Sequence, residues 1–301
     1  MSSRTQDSRS SAVVVGVDGS EEAAAAVRWA AALAARYGAP LELVSGLPRR
    51  RAALTDAAAA LRSAAVAQHR ESAATILKSA EEDVRSAFGD LDVVTLASDV
   101  PVDQLLTEHS RTARMVVLAS EEVSAAAAIV VGSTTLAVSA HSACPVVVWR
   151  GVDTAPSQQP VVLGVEDAAT GPAAFDAAFE FAARVGVGVR AVHTWFRFRP
   201  PPGLISAFVT DWDGLQALQW QGLMSVLEPW TKRYPDVEVT YFVEPEGSTS
   251  ALLRHAAEAQ LVVLGSRRHN ALAGAVLGST SLNLLHHCPV PVMLCRRQAE
   301  S

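Results

Sequence analysis

The sequence predicts an α/β fold made of two tandem doubly wound domains, each an open five-stranded parallel sheet flanked by helices. Three observations lead to this prediction. At 301 residues the chain is about twice the length of a typical domain of roughly 150 residues. Short Val-rich apolar runs alternate with Ala-rich amphipathic segments, as expected of βαβ units, and this alternation occurs twice along the chain.

The two halves of the chain match each other at a nearly constant spacing. The run AVVVGV precedes Asp18, and the run PVVLGV precedes Glu166. The match continues without a gap through a helical segment, where Arg36 corresponds to Arg184. Such self-similarity indicates a duplication. We therefore predict one domain at residues 12–150 and a second at 160–298, preceded by a disordered tail at 1–11 and joined by a polar linker at 151–159.

Uniformly apolar runs predict five buried parallel strands in each half. In the first half these are Val13–Val17, Leu41–Val44, Val93–Leu96, Met115–Leu118 and Val146–Trp149, and in the second half Val161–Val165, Arg190–His193, Glu238–Phe242, Leu261–Leu264 and Val292–Leu294. Amphipathic segments of the first half predict helices over Glu21–Tyr37, roughly Leu54–Phe88, Val102–Ser110 and Thr134–Ser142. Ligands of such sheets bind at the carboxyl ends of the strands.

Charge and hydropathy exclude several classes of protein. The chain carries 25 basic and 31 acidic side chains, a net charge of −6, which argues against a nucleic-acid-binding or membrane-surface protein. No run approaches the roughly 20 apolar residues of a membrane-spanning helix. The N-terminal segment lacks the apolar stretch of a signal peptide, and three cysteines are too few for a disulfide framework. We therefore expect a cytoplasmic protein with no nucleic-acid or membrane partner.

The segment LVVLGSRRHNALAGAVLGSTS, residues 261–281, is the most informative one. A buried strand ends at Gly265, and the run Gly278, Ser279, Thr280 and Ser281 opens a helix. Small residues allow a ligand to approach closely, and a helix N-terminus offers N–H groups and the positive end of a dipole. This pattern indicates an anion cradle, most plausibly for phosphate. The alternative is that Ser279 caps the helix and Gly278 makes the turn.

Asp18 and Glu166 each follow the first strand of their half. A carboxylate at this place can bind ribose hydroxyls, or can hold a metal ion that bridges to phosphates. The alternative is that each caps the following helix.

With these residues, both halves resemble universal stress protein domains, and the chain resembles the tandem type of that family. The nucleotide signature of the family is G-x2-G-x9-G-[ST]. Gly265, Gly278 and Ser279 match it in the second half, and Arg268 replaces the second glycine. In the first half Gly132 and Ser133 match, whereas Ala119 and Glu122 replace the two earlier glycines. The resemblance implies a Rossmann-like fold of the adenine nucleotide alpha hydrolase type.

The resemblance also implies a dimeric, ATP-binding regulator of the stress response rather than an established catalyst. In ATP-binding members the residues just after the second strand complete the site and read the adenine edge. The residues that correspond to these are Ser45 and Gly46 in the first half, beside Asp18, and His193 and Thr194 in the second half, beside Glu166. Magnesium can accompany the nucleotide, and the final strand of the fold is expected to build a homodimer contact.

The departures from the signature distinguish the halves. Glu122 adds a carboxylate where phosphates should pass, which predicts weak or absent ATP binding in the first domain. Arg268 adds a cation with a planar fork suited to phosphate, which favours the second domain. The main alternative is an interaction scaffold in which both cradles are degenerate. A third possibility is a slow ATPase or phosphotransferase that uses Asp18 or Glu166 near a metal.

Other conspicuous residues are assigned structural roles. The segment Trp195–Trp230 is predicted to pack its aromatic side chains on its own domain, with a lid over the crevice as the alternative. Cys144 and Cys288 are predicted to be small buried hydrophobic residues rather than reactive thiols. The histidines at 141, 286 and 287 are predicted to serve helix ends or packing rather than metal binding.

Overall fold

The computed structural model describes residues 11–47, 56–120, 131–166, 171–195, 212–266 and 277–296. The chain divides into two compact units. The described residues up to Pro156 belong to the first unit, and those from Ser157 to Ser266 and from Gly278 to Arg296 belong to the second. The expected tail lies almost entirely outside the described residues.

The first unit is a five-stranded parallel sheet with helices in the crossovers. Its elements in chain order are β1 (Val13–Gly16), α1 (Glu21–Tyr37), β2 (Leu41–Leu47), α2 (Asp56–Ala87), β3 (Val93–Pro101), α3 (Val102–His109), β4 (Met115–Ala119), α4 (Ser133–His141) and β5 (Val146–Trp149). The strands lie in the order β3-β2-β1-β4-β5 and all neighbours are parallel.

The second unit repeats this plan. Its elements are β6 (Val161–Val165), α5 (Pro172–Val185), β7 (Val189–Thr194), α6 (Trp212–Arg233), β8 (Val239–Glu244), α7 (Ser248–Ala256), β9 (Leu261–Ser266), α8 (Ser279–His287) and β10 (Val292–Arg296). The strands lie in the order β10-β9-β6-β7-β8, again with parallel neighbours. The predicted fold class is confirmed.

The residues that flank helix α1 determine where the helix begins and ends. The Ser20 hydroxyl accepts a hydrogen bond from the Ala23 N–H at 3.1 Å and so caps the N-terminus. Gly38 ends the helix in a left-handed conformation with φ of 61°, which glycine adopts without steric cost. Gly186 ends α5 in the same way, with φ of 79°.

The central strand of each unit forms the core. Val13–Val15 in β1 and Val161–Leu163 in β6 are at most 1% exposed. Both strands pair at both edges, and helices α1 and α3 contact β1 while α5 and α7 contact β6. Each fully buried Val or Leu contributes roughly 1.5–3 kcal/mol of transfer free energy.

Strand β3 departs from the prediction. It continues five residues beyond the predicted end, to Pro101, and only Val93 of its side chains is buried, whereas the others are half-buried or exposed. The reason is its place at the edge of the sheet, where it pairs only with β2. Beyond a register shift after Ser45, the pairing resumes between Leu47 and Pro101.

The Trp-rich excursion of the second half contains helix α6. Trp230 donates a hydrogen bond from Nε1 to the Asp176 carboxylate at 2.9 Å and packs edge-on against Phe175, with ring centroids 4.9 Å apart. The predicted packing on its own domain is therefore confirmed for Trp230. The triple-proline segment, on which the lid alternative rests, lies outside the described residues. None of the helices that the structure describes combines the length and apolarity needed to span a membrane.

Candidate functional site

The candidate site of the second unit lies at the carboxyl edge of its parallel sheet. Glu166 follows β6 directly, His193 and Thr194 end β7, and Gly265 lies one residue before the end of β9. Val165 pairs with His193 in the ladder between β6 and β7. Because parallel strands end at the same edge, the structure brings these sequence-predicted residues together there.

His193 is held by two neighbouring elements. Its Nδ1 lies 2.8 Å from the backbone oxygen of Val165, and its Nε2 lies 3.1 Å from Oε1 of Gln219 on α6. A carbonyl oxygen can only accept, so Nδ1 must carry a proton. The imidazole is thereby fixed beside the start of the Glu166 segment. The sequence analysis missed Gln219, which no motif marks.

Thr194 connects the sheet to the next helix. Its hydroxyl lies 2.6 Å from the hydroxyl of Ser248, the first residue of α7. Ser248 was also missed, because its hydroxyl is drawn to the site by a strand 54 residues earlier in the chain. The two hydroxyl groups give this edge a donor and an acceptor side by side.

The end of β8 carries a cluster of charged groups. Glu244 accepts from His255 Nε2 at 2.9 Å and pairs with Arg254 at 3.0 Å. Burial opposes ionisation of Glu244, but the hydrogen bonds from His255 and Arg254 outweigh it, so the pKa of this carboxyl is lowered. Glu244 therefore stays ionised at the rim of the sheet, with its charge paired to the Arg254 guanidinium.

Among the residues that the structure describes, no side chain caps the N-terminus of α8. Gly278 is the N-cap residue, with φ of −63° and ψ of 153°, and the first N–H to bond back along the helix is that of Leu282. The N–H groups of Ser279, Thr280 and Ser281 therefore precede the helical hydrogen-bond ladder. The alternative in which Ser279 caps the helix is wrong. Gly278 and Ser279 are exposed, whereas Ser281 is buried.

Neither Asp18 nor Glu166 caps a helix itself, although the turn chemistry expected of Asp18 and Ser20 is present. Helix α5 begins at Pro172 and its N-cap is Gly171, five residues beyond the exposed Glu166. Helix α1 is capped by Ser20 rather than by Asp18. Asp18 instead accepts from the Ser20 N–H at 3.0 Å and from its hydroxyl at 2.7 Å, and so closes the turn before the helix.

The first unit places the corresponding helix start in the same way, but it places the end of its second strand differently. Gly132 is the N-cap of α4 and Ser133 is its first residue, both exposed. Ser45 is buried, and a Cβ on Gly46 would come within 2.9 Å of the Val100 oxygen. Ser45 and Gly46 lie within β2, and the backbone at this end of the strand is packed against the end of β3 and the start of α3. Glu122 and Arg268, which the sequence analysis used to distinguish the halves, lie outside the described residues.

Comparison with known proteins decides the family. The model of the universal stress protein family matches residues 10–150 and again 158–296. A universal stress protein of Mycolicibacterium smegmatis is 31% identical over 289 residues, covering 94% of this chain and 96% of the relative. One of Mycobacterium tuberculosis is 34% identical over 294 residues, covering 95% and 97%. The chain belongs to the universal stress protein family.

Solved structures agree on the fold of this universal stress protein. The crystal structure of a universal stress protein from Archaeoglobus fulgidus superposes with a TM-score of 0.72 and 18% identity, covering 95% of this chain and 98% of that one. Two other solved universal stress proteins, which align with less than half of this chain, are in complexes with cAMP and with dAMP. The two matches of the family model identify both halves of the chain as universal stress protein domains.

The side chains that the structure describes in this universal stress protein contain no group of three or more His, Cys, Asp or Glu residues placed to hold a metal ion. His141 uses Nδ1 to contact the Ala137 carbonyl oxygen one turn earlier, at 2.8 Å, as predicted for a helix end. Cys144 and Cys288 are buried, as predicted.

Proposed function

We propose that this universal stress protein binds ATP in its second domain and uses the bound nucleotide to stabilise or switch an interaction surface in the stress response. The observation that carries the proposal is the uncapped, exposed N-terminus of α8 at the carboxyl edge of the sheet. Its backbone N–H groups and the positive end of the helix dipole suit a phosphate group. No side chain of the described residues competes for them.

The remaining groups of the edge suit the rest of the nucleotide. The Glu166 carboxylate is exposed at the end of the central strand, where ribose hydroxyls are bound in folds of this kind. His193 and Thr194 end the neighbouring strand, and their backbone groups are assigned to the adenine edge. Arg268 is assigned to the phosphates. Magnesium, where it accompanies ATP, would be shared between the phosphates and Glu166.

The first domain is less suited to a nucleotide. The Asp18 carboxylate is engaged by the Ser20 N–H and hydroxyl, and the Gly46 backbone is packed against Val100 and Val102. We therefore assign one ATP to each chain. We assign no catalytic role, since a conformational signal requires only that the ligand binds one state better than another.

Two glycine variants test the proposal. A Cβ on Gly278 would meet no atom of the described residues within 4 Å, so we expect Gly278→Ala to keep the fold and to remove only the close approach to a ligand. Gly132→Ala is the matched control at the corresponding place in the first domain, where a Cβ would lie 3.9 Å from the Thr135 hydroxyl. We expect ATP titration by calorimetry to show one site, weakened by roughly tenfold or more in Gly278→Ala.

The same titration can overturn the proposal. Unchanged affinity in Gly278→Ala, together with loss of affinity in Gly132→Ala, would move the nucleotide to the first domain. No binding of ATP with or without magnesium would favour the scaffold function. ATP turnover that disappears in Glu166→Gln would establish a slow ATPase instead.

We further propose that the protein is cytoplasmic and forms a homodimer. Light scattering across a concentration series tests the second statement. A constant monomer mass at all concentrations would contradict it.

A further inference from the structure

A cleft of about 240 Å³ opens between α1 and α2 of the first domain. We call it the α1–α2 cleft. Its apolar lining includes Val17, Val27 and Ile76, and its walls carry small side chains such as Ala24 and Ala80. At its rim Arg28 and Asp83 form an ion pair with an N···O distance of 2.8 Å, and both side chains are half exposed.

The corresponding place in the second domain is filled by the protein itself. The gap-free match between the halves pairs Val27 with Phe175 and Arg28 with Asp176. Phe175 is fully buried, and the Trp230 ring from α6 meets it edge-on at an interplanar angle of 86°. Two aromatic side chains thus occupy the space between α5 and α6.

The direction of the Phe175 ring shows which part of that space it fills. A Cβ on Gly171 would come within 1.8 Å of Cζ of Phe175, so the ring lies against the N-terminus of α5. In the first domain the same end of the helix contributes Ser20 and Ala24 to the lining of the cleft. Val27, which stands in the place of Phe175, is smaller than that ring and borders the open cleft.

The Phe175–Trp230 pair of the second domain also makes polar contacts at its edge. Trp230 donates its indole N–H to Asp176 at 2.9 Å, and Arg233 donates to the same carboxylate oxygen at 3.1 Å. In the first domain the rim again pairs a carboxylate with a guanidinium, now Asp83 and Arg28. The cleft is also larger than the roughly 150 Å³ apolar cavity that suffices to bind benzene.

We propose that the α1–α2 cleft is a binding site for a small planar aromatic molecule with an N–H at its edge, of the indole type. The ring packs against Val27 and Ile76, and the N–H donates to the Asp83 carboxylate at the rim. Burial of the ring supplies the affinity, and the rim hydrogen bond orients it. This site is separate from the nucleotide edge of the second domain.

Indole itself is the probe. We expect titration of the full chain, followed by amide NMR shifts, to give saturable changes at the cleft segments 24–28 and 75–83. In Val27→Phe, made together with Ala23→Gly so that both residues of the Gly171–Phe175 pair of the second domain are introduced, we expect the affinity to fall by roughly tenfold or more. The matched control is Val152→Phe, which adds the same ring at a residue that is 90% exposed and should leave the affinity unchanged.

A second comparison tests the rim. Benzofuran has the shape of indole but no N–H, so we expect it to bind more weakly, and we expect Asp83→Ala to abolish the difference. Absence of saturable shifts with indole, or equal affinity in the double variant and the parent chain, would overturn the proposal. If circular dichroism shows that the double variant does not fold, Ala80→Val on the opposite wall takes its place with the same expected loss.

Discussion

The hydroxyl groups of Thr194 and Ser248 lie 2.6 Å apart and join the end of β7 to the first residue of α7. The N-cap residue of α7 is Gly247, and no side chain in the described part of the chain caps this helix. The bond therefore fastens the helix start to the sheet at the edge where the nucleotide is proposed to bind. It is one of the contacts that fix this edge of the second domain.

Replacing Thr194 with Val should remove this bond while keeping the shape of the side chain. We expect the free energy of unfolding to fall by about 1 kcal/mol, because Ser248 loses a partner in a partly buried place. Urea denaturation measures the change. Thr240→Val, at an exposed residue of β8, is the control and should have little effect. Equal losses in both variants would show that the hydroxyl contact adds nothing.

Gly46 is expected to tolerate no side chain. Its Cβ would lie 2.9 Å from the Val100 oxygen and 2.9 Å from the Val102 Cα, and backbone atoms cannot yield as a flexible side chain does. We expect Gly46→Ala to cost roughly 1–3 kcal/mol of stability. Gly222→Ala is the contrasting variant, because its Cβ meets nothing within 4 Å and alanine favours a helix by about 1 kcal/mol. Thermal melts should therefore shift in opposite directions.

The lowered pKa of Glu244 predicts a dependence of stability on pH. The folded state favours the ionised carboxyl, so the contribution is present above the ordinary pKa of 4.5 and is lost as the pH falls through the lower folded value. Glu244→Gln should cost up to roughly 1 kcal/mol at neutral pH and nothing in acid, as expected of a partly exposed ion pair. The exposed Glu238 provides the control as Glu238→Gln. A loss that is the same at every pH would contradict the assignment.

The cysteines are expected to be unreactive in the folded protein. Burial raises the pKa of the Cys144 thiol from 9.0 to about 11, and Cys288 and Cys295 are buried too. Because the folded state favours the neutral thiol, its contribution to stability is lost as the pH rises from about 9 to about 11. A disulfide reagent at mildly alkaline pH should modify no thiol before urea is added. Val152→Cys, at an exposed residue, is the positive control.

The sequence predicts elements best where the signals are local. The bounds of α1 match the prediction because Ser20 and Gly38 end the helix through their own side chain and backbone. The length of β3 could not be predicted in this way. Its last residues are in the strand because Pro101 pairs with Leu47 beyond a register shift, and such pairing depends on chain segments far apart.

Some residues of the candidate site could likewise be predicted from the sequence, and others could not. The residues that follow strands, such as Glu166 and Thr194, could be identified because a doubly wound sheet brings strand ends to one edge. Gln219 and Ser248 could not, since their contacts join residues 26 and 54 positions apart. Such pairs depend on how α6 and α7 pack against the end of β7, which no local sequence pattern predicts.

The contact between Gly171 and the Phe175 ring links the evolution of two positions. Any residue with a Cβ at 171 would collide with the ring, at 1.8 Å from its Cζ atom, so a substitution there can be accepted only after the ring has been lost. Loss of the ring would in turn leave a vacancy beside Trp230. Mutations at these two sites are therefore epistatic, and relatives that have lost one of the pair should have changed the other as well.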